Sequence, residues 1–495
     1  MKQERRNYMA TAKCLEGLEP KRVFEVFSEL SEIPHGSKNE KAISDYIYTF
    51  CKKLGLETYQ DKTNNLIIKK PATSGYENAP TVVLQAHLDM VCEKNADTVH
   101  DFKKDPIRIM RDGDRIYADG TTLGADNATG LAFAMCVLES KEIPHPALEV
   151  VFTADEEAGM SGIKALDFSR IKGRVILNLD CSDEGIVVGC AGSSVVRMKL
   201  KAARGPLKDS MVCMKLKIRG LKGGHSGLDI TKERGNANVI ITRILVDAEN
   251  ELGAQLSWIS GGLQTNAICR EAEAVVAVEE KKRNEWKVLI ERWENILKKE
   301  FKVSDPEVTV ISEEVGNADD CFDQAGTERV LDFLMNIDSG LIAMNMEVPG
   351  VAETSGNVGT ISTEGEEITV RVNYRSGLES KKRYIVEKNR RLARAFGADF
   401  LVESDSPEWE YKADNRLSSL VQKVFEKRYG KKMVVEVSHG GNECGTFFKQ
   451  FPDADIVCSG TQITGAHTPK ESVMVSTIQK EWEMLCLTLK EMLEY

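Results

Sequence analysis

Apolar positions at helical spacing run through residues 21–55, in VFEVFSEL and then KAISDYIYTFCKKLG. The loop IPHGSKNE lies between these two stretches, and its Ser37 is placed to cap the second helix. TNNLIIKKP then reads as a strand, and APTVVLQAHLDMV as a stronger one, apolar and β-branched until it ends in polar residues. A helix is predicted over 128–140, and the runs ALEVVFTADEE and GRVILNLD read as further buried strands. Continuous apolar strands separated by helices point to an α/β domain, a mostly parallel sheet covered by helices.

The texture changes near residue 191. SSVVRMKLKAA and MVCMKLKIRG alternate apolar and polar with period 2, as antiparallel strands with one solvated face do. A helix (ANVIITRILVDAEN), strand-like ISGGLQTNAICR and AEAVVAVEE, and a charged helix (EWKVLIERWENILKK) follow. The pattern then recurs as RVLDFLMNI, SGNVGTIS, EEITVRVNYR and KRYIVEKNRRLARAFG, with Asn266 and Asn357 in similar places. This is a weak internal duplication of an α+β unit, in pattern more than in identity. After about residue 400 the α/β texture returns: NRLSSLVQKVFEKRYG, KMVVEVS, CGTFFKQF, ADIVCSG and a long final helix. The expected organisation is a catalytic domain in two parts, 1–190 and 400–495, with an inserted α+β lid domain over 191–399.

Composition narrows the function classes. Apolar residues make up 42% and charged residues 29% of 495, the balance of a globular protein. With 66 basic and 77 acidic side chains, the net charge of −11 argues against nucleic acid or an anionic membrane as partner. No apolar run reaches the roughly 20 residues of a membrane helix. The basic start MKQERRNYMATAKCLEG is followed by no apolar stretch of the kind a secretory signal needs. The 12 cysteines are scattered and form no C-x-x-C pair, as expected of buried free thiols in a reducing compartment. These features together predict a cytoplasmic protein.

Five places gather the chemistry: His87-Leu88-Asp89, Gly124-Ala125-Asp126-Asn127, Asp155-Glu156-Glu157, Asn178-Leu179-Asp180 and Gly465-Ala466-His467-Thr468. The strand assignments put all five on or near the carboxyl rim of one parallel sheet, where ligand sites of such sheets lie. Each alone has a plain structural reading. His87 could be a capped strand-end histidine, Asp126 a helix cap, Asp155–Glu157 a solvated acidic run, Asp180 a turn residue and His467 a loop residue. Together they are a crowd of carboxylates with two imidazoles, which divalent cations would relieve of their mutual repulsion. Two ions bridged by one carboxylate sit about 3.5–4 Å apart and activate a shared water. Asp89, two residues beyond His87, points the same way and can accept the second imidazole N–H. Glu156 and Glu157 are adjacent and diverge, so one can bind metal while the other acts as general base.

The segments QAHLDMVCEKN, DGTTLGADNATG, TADEEAGMSG, ILNLDCSDEG, LKGGHSG, HGGNECG and GAHTPKES span nearly the whole chain. In that order they resemble the co-catalytic zinc metallopeptidases, the family of carboxypeptidase G, acetylornithine deacetylase, carnosinases and bacterial aminoacyl-histidine dipeptidases. In length and insertion the chain looks most like the last group. The resemblance implies two divalent ions, zinc with cobalt or manganese as alternatives. His87 and Asp180 would hold one ion, Glu157 and His467 the other, and Asp126, with a cis peptide to Asn127, would bridge them. It further implies that Glu156 is the general base, that Asp89 orients His87, and that His225 polarises the scissile carbonyl. Asn266 and Arg375 would contact the transition state and the substrate carboxylate. LNLDCSDEG after Asp180 and HGGNECG at Gly441 and Asn442 depart from the usual pattern.

The resemblance implies metal-dependent hydrolysis of dipeptides, Xaa-His dipeptides such as β-alanyl-histidine first, by a homodimer. The alternatives are an N-acyl-amino-acid deacylase or aminotripeptidase of the same family, a catalytically inactive metal-binding protein, and a thiol enzyme. Within the insert, His225 could equally be a turn histidine between glycines and Arg375 the solvated end of its strand. His439 and the remaining histidines receive no role.

Overall fold

A computed structural model describes residues 14–181, 185–316 and 320–495. The basic N-terminal stretch and residues 182–184, within the segment after Asp180 that departs from the family pattern, lie outside the described residues. The chain divides into two compact units. The first holds the residues up to Gly189 with Tyr411–Glu436 and Asn442–Tyr495, and the second holds Cys190–Glu410 with Val437–Gly441.

The first unit is built on one eight-stranded sheet. Its strands are β1 (Glu57–Gln60), β2 (Leu66–Lys70), β3 (Val82–His87), β4 (Leu148–Thr153), β5 (Val175–Asn178), β6 (Ile186–Cys190), β7 (Val435–Ser438) and β8 (Asp455–Ser459). They lie in the order β1-β2-β4-β3-β5-β8-β6-β7. The four central strands, β4-β3-β5-β8, are parallel, while β1 and β2 on one flank and β6 on the other run antiparallel to their neighbours. β3, β4 and β5 are buried at every position, which is why their sequences are apolar without alternation.

Helix α1 (Lys21–Ser31) packs on α3 (Ala125–Glu139), which lies on β3, and α2 (Lys41–Lys53) lies along β1 and β2. Helix α4 (Arg416–Tyr429) packs on β8 and on α5 (Val475–Glu491). α3 is buried around its whole circumference from Asn127 to Leu138. Its first residues are not helical: Asp126 and Asn127 have extended or irregular φ/ψ, and the peptide between them is cis. The pattern of apolar residues, which starts the helix at 128, therefore locates the regular part.

The second unit carries a nine-stranded antiparallel sheet, eight strands of which form two copies of one motif, strand-helix-strand-strand-helix-strand, while the ninth, Gly340–Met344, pairs with Ala352–Glu364. The inner copy runs Met211–Arg219, Ala237–Leu252, Gln255–Gly261, Ala272–Glu279, Arg283–Glu300, Thr309–Val315. The outer copy runs Gly192–Lys201, Gln324–Met335, Ala352–Glu364, Glu367–Ser376, Glu379–Ala395, Asp399–Ser406. In both, the strands lie in the spatial order second, third, first, fourth, and the copies join through their second strands, where Gly261 registers with Ile361.

The duplication is thus nested and not tandem. The inner copy interrupts the outer one after its first strand, and the points of entry and exit are clipped together by Arg204–Pro206 pairing with Asp320–Phe322. SSVVRMKLKAA and MVCMKLKIRG are strands with one solvated face as their alternation predicts, but they are not partners. Gly192–Lys201 pairs with Glu367–Ser376 and Asp399–Ser406, and Met211–Arg219 pairs with Ala272–Glu279 and Thr309–Val315. The strand expected in ISGGLQTNAICR ends at Gly261, because Gly262 turns with φ +77°, where a Cβ would meet the Gly359 carbonyl oxygen at 1.8 Å.

Candidate active site

In the first unit, the carboxyl end of β3 carries His87, the turn after β4 carries Glu156 and Glu157, and the residues after β5 lead to Asp180. Asp126 opens α3, and His467 stands in the loop between β8 and α5 with φ +64°. His87 Nε2 lies 3.1 Å from Asp126 Oδ1 and 3.4 Å from Asp180 Oδ1. His467 Nε2 lies 2.9 Å from Glu157 Oε1 and 3.5 Å from Asp126 Oδ2. Asp126 therefore turns one carboxylate oxygen to each of two histidines. All five residues expected as metal ligands come together at the rim of the sheet.

The electrostatics are those of crowded acids. Burial alone would depress His87, but Asp180, Asp126 and Asp89 hold it well above its ordinary value. His467 is pushed up to about 10 by Asp126 and Glu157. Burial would raise Asp126, yet the hydrogen bonds from His467 and His87 hold it far below the carboxylate range. Asp180 is raised to about 7 by burial, the neighbouring Asp126 adding to it. Glu156 is raised well above 4.5, first by burial and then by Asp180, Glu157 and Glu443. Two imidazoles do not balance this many carboxyls, and divalent cations would.

The donor set fits such ions. A tetrahedral ion about 2.0–2.2 Å from its ligands separates them by roughly 3.3–3.6 Å, close to the 2.9–3.5 Å between these donors. Ligand atoms of His87, Asp126 and Glu157 all lie within 4.8 Å of one another. Nitrogen and carboxylate oxygen donors suit zinc, cobalt and manganese.

Around these groups the chain builds a second layer. His87 Nδ1 donates to the main-chain oxygen of Asp89 at 2.9 Å, with the Asp89 carboxylate farther off at 3.5 Å. That carboxylate instead accepts the N–H groups of Glu156 at 2.9 Å and Glu157 at 3.2 Å and the Ser37 hydroxyl at 2.7 Å. Burial would raise it, but His87 and these donors pull Asp89 down to about 2. Asp89 thus sets the acidic turn at least as much as it orients the imidazole, and Ser37, expected as a helix cap, serves this carboxylate. Asn127 donates to the Leu179 carbonyl at 2.7 Å and to Asp180 Oδ1 at 3.2 Å.

Sequence reasoning passed over two buried acids. Glu443, in HGGNECG, accepts from Gln85 at 2.5 Å and Thr153 at 2.6 Å and is pushed up to about 8 by burial. Glu471, in GAHTPKES, accepts four consecutive main-chain N–H groups, those of Leu123, Gly124, Ala125 and Asp126. Their signal was in segments already singled out, but their partners lie hundreds of residues away.

The second unit carries the other candidates. His225 pairs in a short ladder with Ala267, and its Nδ1 accepts the N–H groups of Gly227 at 3.2 Å and Leu228 at 3.1 Å. The ring proton is thereby fixed on Nε2, leaving that nitrogen a donor. Asn266 is exposed, and the buried Asn357 holds the loop around it by donating to the carbonyls of Thr265 and Ala267 at 2.9 Å each. Arg375 is not a solvated strand end: it is 6% exposed, its Nε has no hydrogen-bond partner among the described residues, and burial lowers it to about 10. A buried cation of this kind is suited to receiving an anion. His439, to which no role was given, borders it. Its Nε2 lies 2.8 Å from Ser355 Oγ, and burial with the nearby Arg375 lowers it to about 3, so it is a neutral neighbour.

Comparison with known proteins agrees with this geometry. The cytosol non-specific dipeptidase of Escherichia coli K12 is 36% identical over 478 residues, covering 96% of this chain and 99% of the relative. The crystal structure of aminoacylhistidine dipeptidase from Vibrio alginolyticus superposes with a TM-score of 0.88 at 38% identity, covering 96% of this chain and 97% of that one. An aminopeptidase from Bacillus cereus, at 18% identity and a TM-score of 0.57, shares the fold over 96% of this chain and 99% of its own. The description of Peptidase family M20/M25/M40 matches residues 83–491. Fold, sequence and the family match agree, and the chain belongs to peptidase family M20/M25/M40, a family of hydrolases.

Proposed function

We propose that this protein is a metal-dependent dipeptidase with two divalent ions, zinc first, and that Xaa-His dipeptides such as β-alanyl-histidine are among its substrates. The observation that carries this reading is Asp126, which offers one carboxylate oxygen to each of two histidines, each histidine having a further carboxylate beside it. His87 and Asp180 would hold one ion, Glu157 and His467 the other, with Asp126 shared. The named activity of the Escherichia coli relative supports dipeptides, and that of the Vibrio protein supports histidine as the second residue.

Ions bound there supply Lewis acidity, polarising the peptide carbonyl and lowering the pKa of a water. Glu156, whose affinity for protons is raised by burial and its acidic neighbours, takes the proton of the attacking water and passes it to the leaving amine. Asp89 holds the main chain of Glu156 and Glu157, so base and ligand keep their directions. His225 donates from Nε2 to the developing oxyanion, with Asn266 as a second contact. Arg375 pairs with the free carboxylate of the dipeptide, which limits the substrate to short peptides. We place the protein in the cytoplasm and expect a homodimer, to be tested by light scattering. The cytosolic relative and the cysteines, nine of the 12 buried, support the compartment.

The deciding experiment is hydrolysis of β-alanyl-histidine and a panel of Xaa-His and other dipeptides, with and without chelator and added zinc. Chelator-sensitive cleavage that favours histidine dipeptides is the expected result. Equal cleavage of other dipeptides would widen the specificity. No cleavage of any free dipeptide by metal-loaded protein would sink the reading, and turnover of N-acyl-amino acids would then name the family alternative.

A further inference from the structure

The loop from Gly465 to Glu471 does two things at once. It presents His467 in a left-handed conformation, closed by Thr468 N–H to the Gly465 carbonyl at 3.2 Å and Glu471 N–H to the Thr468 carbonyl at 3.0 Å. Four residues beyond the histidine, it sends the Glu471 side chain, 3% exposed, into the segment that precedes α3. There Oε2 accepts the N–H groups of Leu123 at 2.9 Å and Gly124 at 3.1 Å, and Oε1 those of Ala125 at 2.9 Å and Asp126 at 3.4 Å.

Consecutive N–H groups converge on one point where the backbone alternates its handedness, making a concavity for an anion. Gly124 provides that turn with φ +73°, in a space where a Cβ would meet Met90 Sδ at 2.7 Å. The anion in this concavity is the chain's own carboxylate. The last of the four donors belongs to Asp126, whose side chain faces both histidines. One buried carboxylate therefore ties the main chain of the shared ligand to the loop that carries His467.

We propose that Glu471 is a positioning residue of the metal centre: it fixes Asp126 relative to His467 and so sets the geometry of the ion that those two residues share. This rests on the two-metal reading above. A glutamine at 471 keeps the size of the side chain but turns an amino group, which cannot accept, toward two of the four N–H groups, so the segment carrying Asp126 must shift.

The test is metal binding by Glu471→Gln and Glu471→Asp in the full chain, measured by chelator competition and by the visible spectrum of the cobalt-loaded protein. Both are read beside the Tm of the metal-free form. In Glu471→Gln the ion shared by Asp126 and His467 is expected to bind about 10–100-fold less tightly, the range for loss of a group that orients a ligand. Its cobalt spectrum should change with it. Glu471→Asp keeps the charge but draws it back by one methylene, and it should fall between Glu471→Gln and wild type. If Glu471→Gln does not fold, the aspartate variant decides alone. Wild-type metal affinity and an unchanged cobalt spectrum in the folded variants overturn the proposal, including the case where only the metal-free Tm falls. Fewer than two ions bound by the wild-type protein would instead overturn the metal reading itself.

Discussion

Glu156 is raised by burial and by Asp180, Glu157 and Glu443, with His87 opposing them, so its affinity for a proton is a property of its surroundings. Glu156→Gln should lower kcat by about 10²–10⁴-fold while metal content by elemental analysis stays at the wild-type value. Loss of metal together with rate would make it a ligand instead. Arg375→Met should raise KM for free dipeptides by about tenfold or more, the loss of a charge-assisted pair, and leave turnover of C-terminally amidated analogues unchanged. An equal effect on both substrates would remove the carboxylate from its role. Four of the five candidate ligands drew attention because they stand just beyond an apolar strand or at the start of an apolar helix, and His467, in a loop, because it falls in the segment GAHTPKES; their roles as ligands came from the family resemblance. Glu471 and Glu443 drew none. An acid that serves main-chain N–H groups hundreds of residues away, or a glutamine and a threonine on neighbouring strands, leaves no local pattern. For Arg375 a solvated strand end stayed open beside the substrate contact, because alternation reports which face a residue takes, not whether that face is covered.

At the scale of elements, α5 buries Glu481 almost completely, and burial raises its carboxyl from 4.5 to about 7, partly offset by the Ser459 hydroxyl. A folded-state pKa above the unfolded value means that the folded protein holds the extra proton between the two. Stability from this group is therefore complete below about pH 4.5 and is lost as pH rises toward 7 and beyond. Glu481→Gln should abolish that loss. At pH 8 the variant should be the more stable by up to on the order of 3 kcal/mol, and near pH 4.5 the two should agree, as urea unfolding at both values would measure. A variant equally or less stable at pH 8 would refute the assignment. Most elements were legible, since β3, β4 and β5 are continuous apolar runs and the strands of the insert alternate. Partners were not. Nothing in SSVVRMKLKAA or MVCMKLKIRG says that each pairs with strands much later in the chain, because pairing in an antiparallel sheet depends on which faces the helices cover.

For the whole molecule, removing divalent ions should leave the carboxyls of the site facing one another with only two imidazoles between them. Dialysis against chelator should abolish hydrolysis and lower Tm, zinc should restore both, and the stabilisation should grow with free metal by about 1.4 kcal/mol per tenfold above Kd. A chelated protein with unchanged Tm and activity would speak against a resident metal. The nested duplication has a consequence of another kind, in time. On the ribosome, Gly192–Lys201 emerges long before Glu367–Ser376 and Asp399–Ser406, the strands on either side of it. At about 5–20 residues per second, the roughly 180 residues between Ser193 and its partner Arg375 take on the order of 9–36 seconds to make. Throughout that interval the inner motif, all of whose strands lie within residues 211–315, can close on itself, while the first strand of the outer motif still lacks its partners. Chains truncated just after residue 330 and released from the ribosome should therefore yield a protease-resistant fragment spanning residues 211–315 and be cut readily within 192–201. The order in which the molecule is assembled is thus the reverse of the order in which its outer motif is begun.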